Sequence, residues 1–158
     1  MSKTLSMNFT DTPISGVSSL TFPRGLVNFG ADFRVKSDTP NEAVVTNLTS
    51  PTVFPERMRF SVSDVTNVYT GSSIEPSMYA ASKRGVSVLC QVTENWTVTD
   101  SVDATYQVAL PVSAHLVIKV PNHELVTPAA VQILVGRLVS GLFGTGDTGT
   151  TRIGSLLR

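Results

Sequence analysis

The sequence predicts an α+β fold: an N-terminal hairpin, an antiparallel sheet of about five strands, then two C-terminal helices. Three observations carry this. Three long segments alternate apolar and polar residues with period two. After Thr127-Pro128 the period switches to three and four. Ser and Thr together make up roughly a quarter of the 158 residues, and Val is the commonest apolar type, both of which favour strands.

The elements follow in chain order. A hairpin is expected over residues 1–25, from Leu5 through the turn Asp11-Thr12-Pro13 to Leu20-Thr21-Phe22. The sheet is expected over 26–122. It starts with a short strand at Ala31 to Val35, a turn at Ser37 to Asn41 and a strand at Ala43 to Leu48. In the turn, Pro40 and Asn41 supply the dihedrals.

In the segment Glu56 to Tyr69, Met58, Phe60 and Val62 point one way, and Arg57, Arg59, Ser61 and Ser63 the other. In Arg84 to Thr97, Val86, Val88, Cys90, Val92 and Trp96 oppose Ser87, Gln91, Thr93, Asn95 and Thr97. In Ala104 to Val120 an unbroken apolar series from Tyr106 to Val120 opposes Gln107, Ser113, His115 and Lys119. Such alternation means a sheet with one dry and one wet face. Pro111 interrupts the last strand, so a bulge or an edge position is expected there.

Helices are expected over 125–158. Thr127 is an N-cap and Pro128 suits the first helical position. Val131, Leu134, Val135, Leu138, Leu142 and Phe143 recur at helical spacing before Gly144, a C-terminal stop. A short second helix is expected over Thr151 to Arg158. No linker divides the chain, so all of it is expected to form one domain.

Lys plus Arg equals Asp plus Glu at 12 each, which excludes a polybasic or acidic tail. Only 15% of residues are charged, against roughly 25% in an average soluble domain. The first helix is apolar nearly all round, since Ile133 and Val139 widen its stripe. A helix of that kind is buried on more than one side. A single sheet covers only one side, so a second chain is the simplest cover. The alternative is a compact monomer whose N-terminal hairpin caps the helix.

Chemistry-bearing motifs fail on inspection. Gly144-Thr145-Gly146-Asp147-Thr148-Gly149 matches GxGxxG, but it follows a helix in a chain without a βαβ pattern. His123-Glu124-Leu125-Val126-Thr127 lacks the second histidine of a zinc site. Cys90 and His115 belong to opposite faces, and no Gly-x-Ser-x-Gly elbow is present. No enzyme, cofactor or metal is expected. The N-terminus shows no apolar secretory signal, and Ala129 to Phe143 is too short and too interrupted to span a bilayer. The sequons at Asn8, Asn47 and Asn95 are read as coincidence in a Thr-rich chain. The wet face could bind phosphate, sugar and unpaired base edges, although solvated sheet faces commonly have this composition.

The run from His115 to Gly144, HLVIKVPNHELVTPAAVQILVGRLVSGLFG, resembles the last strand and first helix of the coat proteins of single-stranded RNA bacteriophages. Thr151 to Arg158, TRIGSLLR, resembles their second helix. The match covers about the last third of the chain; the rest agrees in topology. The resemblance implies an interlocked homodimer whose sheets join edge to edge, with each chain's helices across the partner's sheet. The dimer interface would then use Val131, Leu134, Val135, Leu138, Leu142 and Phe143. Dimers would build a quasi-equivalent (T=3) icosahedral shell around the RNA genome. The loop Thr99, Asp100, Ser101, Val102, Asp103 and Ala104 would meet at its symmetry axes. By strand and face, RNA contacts are assigned to Arg59, Ser61, Gln91, Thr93, Ser113 and His115, with Arg57 and Lys119 peripheral. The resemblance further implies recognition of an RNA hairpin as a translational repressor and a phage maturation protein as a partner. It places the chain in the virion, assembled in the bacterial cytoplasm, without a membrane. The stretch Tyr69 to Ser82, rich in Ser, Gly and Pro, departs from the compact family pattern. The competing reading is a non-viral, β-rich dimeric binding or adhesion module without RNA.

Overall fold

The computed structural model describes residues 3–10, 12, 27–102 and 105–143. The chain divides into two units, Asn28–Asn122 and Met1–Val27 with His123–Arg158.

The first unit holds one five-stranded antiparallel sheet in sequential order. A one-turn helix α1 (Phe29–Asp32) leads into β1 (Phe33–Thr39) and β2 (Glu42–Asn47). Three longer strands follow: β3 (Arg57–Val65), β4 (Gly85–Thr99) and β5 (Gln107–Pro121). Sequential antiparallel neighbours need no crossover: Pro40-Asn41 makes the β1–β2 turn, whereas β3 and β4 are joined by the longer connection 66–84.

Details differ from the expectation for physical reasons. The first strand starts at Phe33 and not Ala31, because the Asn28 side chain caps α1 by accepting from Ala31 N at 3.2 Å. β1 extends to Thr39, leaving Pro40-Asn41 as the turn. A register shift between Val35 and Ser37 leaves Lys36 without a partner, a bulge that alternation alone does not reveal. β3 ends at Val65, and residues 66–84 form an ordered connection and not a strand extension to Tyr69. β4 and β5 pair without interruption from Gly85↔Pro121 to Thr99↔Gln107. Pro111 sits in that ladder without a bulge; β5 is an edge strand, where a missing N–H is tolerated.

Asn47, one of the sequon residues, ties the β2–β3 turn together. Its side chain donates to the buried Glu56 carboxylate and accepts from Thr49 N at 2.9 Å and Thr49 Oγ1 at 2.7 Å. Ser50 Oγ then accepts from Glu56 N at 3.0 Å. The sequon spells an Asx turn.

The dry face stacks apolar rows: Val62–Val88–Ile118, Phe60–Cys90–Leu116 and Met58–Val92–Ala114. The row is set by cross-strand pairing, which puts directly opposed side chains on one face. Phe29 of α1 packs on this face, with ring centroids 5.1 Å from Phe33 and 6.2 Å from Phe60. Yet among the described residues Phe33 is the one buried hydrophobic, at 6% exposure. Trp96 is 59% exposed and Val62 46%.

In the second unit, α2 (Pro128–Phe143) is capped as expected. Thr127 Oγ1 accepts from Ala130 N at 3.3 Å, and Thr127 O accepts from Val131 N at 3.2 Å. Ala130, Val131, Val135 and Val139 are half-buried, whereas Ile133, Leu134 and Leu138 are exposed. The Arg137 guanidinium lies 3.5 Å from the centroid of the Phe9 ring, a cation–π contact. The expected hairpin falls largely, and the second helix wholly, outside the described residues. No described helix is long and apolar enough to cross a membrane.

Gly85 is fixed by packing. A Cβ there would lie 2.4 Å from both Val120 O and Val68 Cγ1. Backbone cannot yield cheaply, so Gly85→Ala should destabilise the fold by about 1–3 kcal/mol. A chemical denaturation midpoint unchanged from the parent chain would show that this approach is not tight.

Candidate nucleic-acid face and assembly surfaces

Register brings the expected RNA-contact residues onto one face. Arg59, Gln91 and His115 form one cross-strand row; Arg57, Thr93 and Ser113 form the next. Ser61 lies opposite Leu89 and Val117, and Lys119 shares a row with Ser63 and Ser87. Thus all eight residues share the wet face. Arg57, Arg59, Ser113, His115 and Lys119 are exposed; Ser61, Gln91 and Thr93 are half-buried within the strands.

Two features of this face escape the alternation. First, the row Ser61–Leu89–Val117 is mainly apolar, and Val117 is 54% exposed, so the surface is an apolar strip between polar rows. Second, Arg34 belongs to it: Arg34 pairs with Thr46, which pairs with Arg57. Counted back from the Pro40-Asn41 turn without a bulge, Arg34 would fall opposite Asn47 on the dry face; the bulge at Lys36 brings it to Thr46, and the local signal for this is the alternation Phe33-Arg34-Val35.

Pairing also segregates charge. On the ladder-paired positions, the wet face carries Arg34, Arg57, Arg59 and Lys119 against the single carboxylate Glu42. The dry face carries Asp38, Asp64 and Glu94 and no cation. A neutral chain therefore presents one cationic sheet face. Glu42 reduces that charge locally: its carboxylate accepts from Arg59 Nε at 2.7 Å and also meets the guanidinium Nη2. Both partners are solvent-exposed, so this ion pair adds at most about 1 kcal/mol to stability. Arg57 has no carboxylate opposite it; its cross-strand neighbours are Thr46 and Thr93. On the dry face, Glu94 accepts from Trp96 Nε1 at 2.9 Å.

The expected symmetry-axis residues sit at the β4–β5 tip. Thr99 closes β4, and Asp100 Oδ1 accepts from Val102 N at 2.8 Å, leaving Val102 94% exposed. Asp103 and Ala104 lie outside the described residues. Of the expected dimer-interface residues, Val131, Leu134, Val135 and Leu138 project from α2, with Leu134 at 54% and Leu138 at 49% exposure. Leu142 and Phe143 belong to α2, and their side chains lie outside the description. No cluster of metal-ligating side chains occurs among the described residues.

No family model matches the chain, and no curated relative does. Solved structures do. The virus-like particle of bacteriophage AVE015 shares 33% identity, with a TM-score of 0.76, covering 87% of this chain and 81% of that one. The virus-like particle of bacteriophage GQ-112 matches with a TM-score of 0.73 over 92% of this chain and 90% of that one; at 16% identity it shows the fold. The virus-like particle of bacteriophage AVE019 matches more distantly, with a TM-score of 0.51 at 10% identity.

Proposed function

Because the chain belongs to the coat proteins of single-stranded RNA bacteriophages, we propose that its cationic sheet face binds the packaged genome and a repressor hairpin. The chain is a structural, non-enzymatic capsid component of the virion. Family membership displaces the alternative of an adhesion module.

The segregation of charge carries the RNA reading. Phosphates need cations, and the ladder-paired positions of the wet face collect them with a single carboxylate, Glu42, among them. Around the Arg and Lys positions, Ser61, Gln91, Thr93, Ser113 and His115 offer hydrogen bonds to sugar and base edges. The Leu89–Val117 strip gives unpaired bases an apolar surface.

The building block is a homodimer. Apolar residues on α2 and on the dry face that are about half exposed, such as Leu134, Leu138 and Val62, each forgo about 1 kcal/mol of burial free energy in an isolated chain. β5, a 15-residue edge strand, offers an unpaired backbone row. Joining two such edges and laying each α2 on the partner's dry face would satisfy both. Val102 and its neighbours then form contacts around the symmetry axes of a T=3 shell, and the maturation protein is an additional partner.

Leu138→Asp should abolish dimers as well as particles, because it places an unpaired charge in the interface; soluble dimers retained on sedimentation would refute the interlocked arrangement. For RNA, Arg57→Ala should weaken binding more than Arg59→Ala, whose charge Glu42 already offsets. Removing one phosphate-binding cation should flatten the salt slope by about 0.7. Filter-binding titrations between low and physiological salt read both, and equal slopes for parent and Arg57→Ala would remove Arg57 from the interface.

A further inference from the structure

The 66–84 connection folds back onto the wet face. Val68 N donates to Lys83 O at 2.8 Å, closing the base of the loop. Gly85 belongs to the wet-face row with Val65 and Pro121, and Val68 fills the space its missing side chain leaves. Inside the loop the Tyr69 and Tyr79 rings stack at 3.9 Å and 11°. Ala80 N donates to Tyr69 Oη at 2.8 Å, and Lys83 Nζ sits 5.5 Å from the Tyr79 ring centroid. Ser72 N and Ser72 Oγ both donate to Tyr69 O, at 3.0 and 2.8 Å. Gly71, at φ 78°, makes the intervening turn. The loop is therefore a built element that holds one aromatic ring in place.

Between this loop and the sheet end lies a cavity of about 450 Å³. Its walls are apolar at Val65, Val68, Ile74 and Pro121, and Tyr69 supplies an aromatic surface. Asn67 and Thr70 add hydrogen-bonding groups, and Lys119 adds a cation from the wet face. The size falls in the range of small-molecule sites, roughly 300–1,000 Å³. An aromatic ring beside apolar walls suits a flat heterocycle, the amide and hydroxyl suit its polar edge, and an ammonium suits an attached phosphate.

We propose that this cavity is an RNA subsite that takes one unpaired nucleobase, with Tyr69 as its stacking platform and Lys119 on the adjoining phosphate. The proposal rests on the RNA reading of the wet face and extends it to a place outside the central strands. A strand crossing the sheet would be anchored at its end by the base in the cavity.

The test is ultraviolet crosslinking of particles with their packaged RNA, followed by mass spectrometry of the coat-protein peptides. A nucleotide adduct on the peptide holding Tyr69 is expected. Thr70→Trp, which fills the cavity while keeping the tyrosine stack, should abolish that adduct and leave those on β3, β4 and β5 unchanged. Lys119→Gln should lower its yield, and Tyr69→Ala should weaken binding of a short single-stranded oligonucleotide about tenfold. Adducts on the strands without one at Tyr69 would overturn the subsite while preserving RNA binding on the sheet. Particles without RNA, or without any wet-face adduct, would overturn both. Electron-microscopy density for a neighbouring subunit's side chain in the cavity would overturn the subsite alone.

Discussion

One deficit governs the molecule: the dry sheet face and the apolar helix contain far more apolar surface than the described chain itself buries. Phe33 is the single buried hydrophobic among the described residues, although 41% of the sequence is hydrophobic. A soluble monomer hides its large aliphatic residues and surrounds them with charge. Here charge is scarce, and Leu134, Leu138, Val62 and Trp96 remain open. A coat protein resolves the deficit by assembly, since every subunit surface that meets another subunit need not be solvated. Low charge and exposed apolar side chains, which would be liabilities in a monomer, are what a shell subunit requires.

The sheet converts a neutral sequence into a polarised slab. Antiparallel pairing fixes which residues share a face, so Arg34, Arg57, Arg59 and Lys119 gather on one side and Asp38, Asp64 and Glu94 on the other. Zero net charge argues against tight non-specific RNA binding only when charge is evenly spread. The Arg59–Glu42 pair shows how this surface is moderated: a carboxylate within the cationic face limits its potential and orients one guanidinium. The β3–β4 connection adds relief to an otherwise open surface.

Much of the fold was legible because its signals are periodic. The long alternations located β3, β4 and β5, and the parity of Arg59, Gln91 and His115 already placed them on one face. Thr127-Pro128 marked the start of α2 to the residue. What stayed hidden depends on contacts between distant residues. The bulge at Lys36 moved Arg34 onto the wet face, the Asn28 cap turned the start of an expected strand into α1, and the register aligned Leu89 with Val117 into one apolar strip. The loop around Tyr69 read as a Ser-, Gly- and Pro-rich departure from the family, because its order comes from a Tyr–Tyr stack and from Val68 seated over Gly85. Neither leaves a local sequence signature.

A chain with so little of its apolar surface buried should have no stable folded state alone. Equilibrium unfolding of the disassembled protein in denaturant, followed by circular dichroism and sedimentation over a wide range of protein concentration, is the decisive experiment. A denaturation midpoint that rises with concentration, with strand signal lost together with the dimer, is the expected result. A monomer that keeps its native strand signal at the lowest concentration, with a midpoint independent of dilution, would be incompatible with folding by assembly.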